Sequence, residues 1–187
     1  MRGADGQPDP HLDWLRRVKT DPDAFEALYR AYYPRLSDFL LRILDDSQAA
    51  EETVNDTMMV VWEKADSFRE ESRVSTWIFG IAYRKALKRF RSRQRVSTRE
   101  IAGDIDLGTF ADPHDVIAKT MNDEVLFSAV AKLPAAQKAV VHLALRFGYS
   151  YREISEILDC PVNTVKTRMF HARDKLRGHL DRALGQG

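Results

Sequence analysis

Apolar and aromatic side chains return every three or four residues along DAFEALYRAYYPRLSDFLLRIL, where Phe25, Leu28, Tyr29, Tyr32, Leu36, Phe39, Leu40 and Ile43 share one stripe. That is the period of an α-helix with one buried face; a half-buried strand alternates every second residue instead. Pro34 lies inside the stripe and marks a kink or a restart. The period recurs in SQAAEETVNDTMMVVWEKA, with Ser47 as N-cap and Val54, Met58, Val61 and Trp62 along one side. A third helix is expected from about Ser75 through TWIFGIAYRKALKRF, with Trp77, Ile78, Ile81 and Ala82 toward the core, and DSFREESRVS reads as the loop before it. No segment reads as a strand, so the expected fold class is all-α.

Charge divides the chain further. The net charge is only +1, yet Arg84, Lys85, Lys88, Arg89, Arg91, Arg93, Arg95 and Arg99 follow one another without an acidic residue between them. The sign then reverses: Glu100, Asp104, Asp106, Asp112, Asp115, Asp123 and Glu124 are opposed only by Lys119, and from Lys166 onward basic residues again outnumber acidic ones. STREIAGDIDLGTFADPHDVIA, with Gly103, Gly108 and Pro113 and no sustained period, reads as a linker. Helices resume where Asn122 caps DEVLFSAVAKL; Pro134 opens AAQKAVVHLALRF in its first turn and Gly148 closes it. The expected organisation is two small helical domains joined by a flexible linker: an N-terminal tail over 1–20, a first domain over 21–95, an acidic linker over 96–121 and a second domain over 122–187.

Several function classes are excluded by what the residues do not combine into. No apolar run reaches the roughly 20 residues of a membrane span, and MRGADGQPDPHLDW lacks a signal-peptide core, so a cytoplasmic protein is expected. The single cysteine, Cys160, rules out an internal disulfide framework and a thiolate metal cluster. There is no Gly-rich phosphate loop, no H-E-x-x-H and no nucleophile motif, and His11, His114, His142 and His171 are scattered. Glu51 and Glu52 have no histidine nearby to complete a di-metal site. No enzymatic activity, metal or cofactor is expected.

The segment YSYREISEILDCPVNTVKTRMFHARDKLR points to a partner. Ser150 and Glu153 form an S-x-x-E capping box ahead of Ile154, Ile157 and Leu158; a three-residue interruption follows, with Asp159 where such turns often have glycine. In the next helix Val162, Val165, Met169, Ala172 and Leu176 share one side and anchor it to the preceding helix. Asn163, Thr164, Lys166, Thr167, Arg168, His171 and Arg173 are left toward solvent. Amides and hydroxyls suit base edges, cations suit phosphates, and both sit at the front of a helix that follows a tight turn. A plain charged face on a helical hairpin is the competing reading.

These blocks, together with LYRAYYPRL, AEETVNDTMMVVWEKADSFREESRVSTWIFGIAYRKAL and LPAAQKAVVHL, occur in an order and spacing that resemble an extracytoplasmic-function sigma factor of the sigma-70 family, the small two-domain initiation subunits of bacterial RNA polymerase. The resemblance runs from Phe25 to Leu180. It implies that the first domain is sigma domain 2 and the second sigma domain 4. It implies core RNA polymerase as a partner, through the clamp of the largest subunit and the flap of the second-largest, along with promoter DNA and an anti-sigma factor. The helix bearing Glu51, Glu52, Asp56 and Trp62 is similar to the clamp-docking segment, although first-turn carboxylates also suit the helix dipole. The segment with Phe68, Arg69, Ser72 and Ser75 looks like the one that melts the minus-ten element, Phe68 either capturing an unstacked base or anchoring the loop. Arg84, Lys85, Lys88 and Arg89 would hold the strand by its phosphates. Gly80 and Arg84 stand where many members have arginine and asparagine. The helix-turn-helix would read the minus-thirty-five element. The linker either follows the path of nascent RNA, as a polyanion mimic bearing Asp104, Asp106, Asp112 and Asp115, or is acidic for solubility. No further regulatory domain is expected after Leu184, and Thr53 and Thr57 on the docking helix are candidate phosphorylation sites. A stand-alone regulator, the alternative, would need a dimerisation seam or ligand pocket, and neither is legible in the first lobe.

Overall fold

The computed structural model describes residues 9–94 and 128–184, with side chains over 9–91 and 128–179. The expected linker, the Asn122 cap and the cations Arg95 and Arg99 lie outside the described residues. The chain divides into two compact units, one N-terminal and one C-terminal. Among the described residues there is no strand, and no helix is long and apolar enough to cross a membrane.

The N-terminal unit holds four helices: α1 (Leu12–Arg17), α2 (Pro22–Leu44), α3 (Ser47–Lys64) and α4 (Val74–Gln94), with a 3-10 turn at Ala65–Ser67. Asp21 starts α2 by accepting from the Asp23 N–H at 3.0 Å, with Pro22 in the first turn. The helix runs through Pro34 without a break. Pro34 is exposed, so the carbonyl that loses its partner one turn earlier is open to water. Leu28, Tyr32, Leu36, Phe39, Leu40 and Ile43 are buried as their spacing requires, while Phe25 and Tyr29 are half-buried at the edge.

Asp45 ends α2 in the left-handed conformation at φ 52°, and its N–H bonds the Leu41 carbonyl at 2.9 Å. The N-cap of α3 is then Asp46, whose carboxylate accepts the Ala49 N–H at 2.9 Å, and not Ser47, which is already the first helical residue. A carboxylate one residue earlier takes the capping position because Asp45 has turned the chain there. α3 packs against α2 and α4 through Val54, Met58 and Val61, but Trp62, expected on the same stripe, is 42% exposed. In α4, Ile78, Phe79, Ile81 and Ala82 are buried and Trp77 is half-buried. The core of this unit is the contact of α2, α3 and α4, and Phe39 meets Phe79 at a ring separation of 5.3 Å.

The C-terminal part of the chain holds α5 (Ala135–Val141), α6 (Tyr151–Leu158) and α7 (Val162–Leu184), preceded by helical residues 128–131. Pro134 stands at the N-cap of α5, one position before the expected first turn, with ψ 146° in the extended range. Past Val141 the backbone widens into a π-turn over His142–Arg146. Gly148 reverses it at φ 70°, letting the Tyr149 N–H reach the Leu143 carbonyl at 3.0 Å.

Candidate nucleic-acid interface

Local sequence builds the C-terminal part. Ser150 and Glu153 close the capping box at the start of α6: the Ser150 N–H donates to the Glu153 carboxylate at 2.9 Å, and the Glu153 N–H donates to Ser150 Oγ at 3.3 Å. α6 ends at Asp159, which adopts the left-handed conformation at φ 50°. An aspartate tolerates this region better than most residues because its short side chain bonds locally. The turn closes with the Cys160 N–H on the Ser155 carbonyl at 3.1 Å, and α7 begins at Val162 after Pro161.

Val165, Met169, Ala172 and Leu176 bury one side of α7, and the helix that this side packs on most closely is α5, not the preceding α6. Asn163, Lys166 and His171 are exposed; Thr164, Thr167 and Arg168 are half-buried. Thr167 spends its hydroxyl on the Asn163 carbonyl at 3.0 Å, and Arg168 Nη1 lies 3.5 Å from Cys160 Sγ across the turn. Arg173, expected toward solvent, is half-buried, with its Nε enclosed by protein. Its position, four after Met169, carries it back toward the packed side. Sequence reasoning missed Phe170, which is 43% exposed, in helical phase with Asn163 and Lys166, and edge-on to His171 at 5.5 Å. An apolar group on a base-reading face suits the methyl of thymine; a lone aromatic among cations was the available signal.

In the N-terminal unit the proposed strand-capturing loop follows the 3-10 turn. Phe68 is half-buried with its ring 5.3 Å from that of Trp77, so in this conformation it anchors the loop. Arg69 is exposed, while Ser72 and Ser75 are half-buried. Along α4, Arg84 and Lys88 are exposed and Lys85 and Arg89 half-buried. The absence of a side chain at Gly80 leaves room for the Arg84 guanidinium: a Cβ there would stand 3.3 Å from Nη1.

The structure also brings together two sets of residues that the sequence reading kept apart. Arg89 donates to Glu52 at 2.7 Å and lies 3.6 Å from Asp56, and Lys85 lies 3.9 Å from Asp56. The hydrogen bond from Arg89 holds the Glu52 carboxyl below the usual carboxylate range, with a smaller contribution from Gln48. Glu52 and Asp56 therefore bridge to the basic face of α4, whereas Glu51 is exposed and acts electrostatically on Tyr29 of α2, and Trp62 is exposed. Met59, 53% exposed, falls in helical phase with Glu52 and Asp56. Thr53 and Thr57 are fully buried, their hydroxyls donating at 2.6 Å to the carbonyls of Ala49 and Thr53. No kinase can reach them in the folded protein, which corrects the reading of both as phosphorylation sites.

Comparison with known proteins places these surfaces in a family. Sigma-70 region 2 matches residues 28–96 and Sigma-70 region 4 matches residues 123–176. The chain is 32% identical over 169 residues to the ECF RNA polymerase sigma factor SigK of Mycobacterium sp. (strain JLS), covering 88% of this chain and 86% of that one. It is 29% identical over 174 residues to the ECF RNA polymerase sigma factor RpoE of Cereibacter sphaeroides, covering 90% and 95%. Among solved structures, it is similar to the sigma factor RpoE from Bartonella quintana, determined in complex with the anti-sigma factor NepR. The TM-score is 0.64 at 26% identity, over 84% of this chain and 96% of that one. CnrH, solved with the cytosolic domain of CnrY, shares the fold at TM-score 0.66 and 20% identity, over 94% and 99%. With both sigma regions matched in order and relatives aligned along nearly its whole length, the chain belongs to the extracytoplasmic-function sigma factors of the sigma-70 family and is an RNA polymerase sigma factor.

Proposed function

We propose that the N-terminal unit docks on the clamp of the largest polymerase subunit through Glu51, Glu52, Asp56 and Trp62, and that the C-terminal unit docks on the flap of the second-largest. α7 enters the major groove of the minus-thirty-five element. Asn163, Thr164 and Thr167 address base edges there, and Lys166, Arg168 and His171 address phosphates, with Arg173, turned toward the packed side, left out of the contact. Phe68, Arg69, Ser72 and Ser75 open and trap the minus-ten strand, and Arg84, Lys85, Lys88 and Arg89 hold its backbone. The domain limits are those of the sequence reading, except that residues 9–20, read there as tail, join the first domain because α1 packs on α2; the acidic linker of 96–121 lies between the two domains. The protein performs no chemistry of its own and acts in the cytoplasm, where core polymerase supplies catalysis. An anti-sigma factor is its expected restraint, in keeping with the Bartonella relative solved with one.

The observation that carries this reading is the exposed front half of α7, with Asn163, Lys166 and Phe170 in phase behind a tight turn, in a chain with both sigma regions. Run-off transcription from a genomic-fragment library, with and without core RNA polymerase, tests it. Discrete new start sites only when both proteins are present are expected. Fragment binding by the protein alone, with no new transcripts on adding polymerase, would refute it.

A further inference from the structure

We infer that residues 9–19 act as a strap whose Asp9, Arg16 and Lys19 are positioning residues for the strand-capturing loop, an inference that rests on the promoter-opening role proposed for that loop. The strap precedes the region matched by Sigma-70 region 2, which begins at residue 28.

The strap is fixed to the unit before it touches the loop. Leu15 and Val18 are buried, α1 packs on α2, and His11 Nδ1 shares a hydrogen bond of 2.9 Å with the Tyr32 hydroxyl. From that footing it holds the loop at three points. Lys19 pairs with Asp66 in the 3-10 turn where the loop begins. Arg16 forks onto Glu70 at the middle, with Nε 3.2 Å from Oε1. The Asp9 carboxylate accepts the Val74 N–H at 2.7 Å, capping the start of α4 from 65 residues away, while its other oxygen accepts the His11 N–H at 3.0 Å. Phe68, Arg69 and Ser72 lie between these anchors.

Glu70 itself gives a reason for the clamp. It is a non-glycine residue at φ 57°, a left-handed conformation that costs free energy unless its surroundings hold it. The Arg16 fork grips the carboxylate of that residue. A loop backbone held at both ends and in the middle loses less entropy when Phe68 leaves Trp77 to capture a base, so the strap acts on the opening step and leaves polymerase docking alone.

The test uses the full chain with core polymerase and a promoter recovered by the run-off screen. Arg16→Ala with Lys19→Ala, both surface positions, should lower run-off transcription from the duplex promoter about twofold to thirtyfold, the range for two exposed ion pairs. The same promoter with a mismatched, already open minus-ten segment should be transcribed at close to the wild-type level. Glu70→Arg should impair opening, and adding Arg16→Glu to it should restore the duplex activity. Equal loss on both templates, no loss on the duplex, or failure of the charge exchange to rescue would overturn the inference. A run-off screen that yields no promoter at all would overturn the sigma reading itself.

Discussion

Replacing Gly148 with alanine isolates a backbone effect in the unit that carries α7. Gly148 sits at φ 70°, and a Cβ built there meets nothing within 4 Å, so no clash contributes. What remains is the left-handed conformation, which costs an L-residue about 1–2 kcal/mol. Part of this is offset because alanine lowers the entropy of the unfolded chain, worth about 0.4–1 kcal/mol. The net loss is about 1 kcal/mol, roughly a fivefold change in the opening equilibrium or about 4–8 °C in the melting of a unit this small. Amide hydrogen exchange read by mass spectrometry over peptides from 149–176 should show protection falling by about that factor. Asp159→Gly, at φ 50°, should move protection the other way by a smaller amount, since aspartate bears this conformation better than alanine. Unchanged protection in Gly148→Ala, or lowered protection in Asp159→Gly, would refute the argument that left-handed strain at these two turns sets the stability of the helix-turn-helix.

Lys166→Ala should weaken promoter binding by the polymerase complex and reduce the slope of log affinity against log salt by about 0.9, one phosphate contact; an unchanged slope in a filter-binding titration would remove Lys166 from the DNA face. Glu51→Lys leaves the Arg89–Glu52 pair intact, so the protein should keep its circular dichroism spectrum and lose co-purification with core polymerase; normal co-purification would move the docking surface elsewhere. Burial lowers the His11 pKa below 6.5, with Arg35 adding to the shift and Asp9 opposing it. The folded protein thus binds fewer protons than the unfolded chain just below pH 6.5, and stability should decline as pH falls through the interval down to the folded pKa. Unfolding midpoints from pH 8 to pH 5 should show that decline, and His11→Gln should flatten it; identical profiles would exclude His11 as its source.

Most of the fold is legible along the chain because helices are local. Three- and four-residue spacing places Leu28, Tyr32, Leu36, Phe39 and Leu40 inside, the S-x-x-E pattern starts α6, and Gly148 ends the helical run. The candidate interface residues are legible for a related reason: once one side of α7 is given to Val165, Met169 and Ala172, the opposite side follows from the helical period. Phe170 escaped because an aromatic residue is ordinarily assigned to a core, and only the observed exposure shows that this one is not. Ser47 lost its capping role to Asp46 because helix ends depend on the chain direction set one residue earlier.

The contacts between distant residues have no local signal. Nothing in the spacing of Asp9 and Val74, Arg16 and Glu70, or Arg89 and Glu52 announces that they meet. Sequence by itself determined an all-helical chain of two matched regions, because hydrophobic period and capping act within a few residues. Tertiary structure alone decided which charges face solvent and which face each other, and that a short N-terminal helix holds the loop. Those outcomes depend on how helices remote in sequence are brought side by side, through burial of apolar faces that carries no record of which surface charges it will juxtapose.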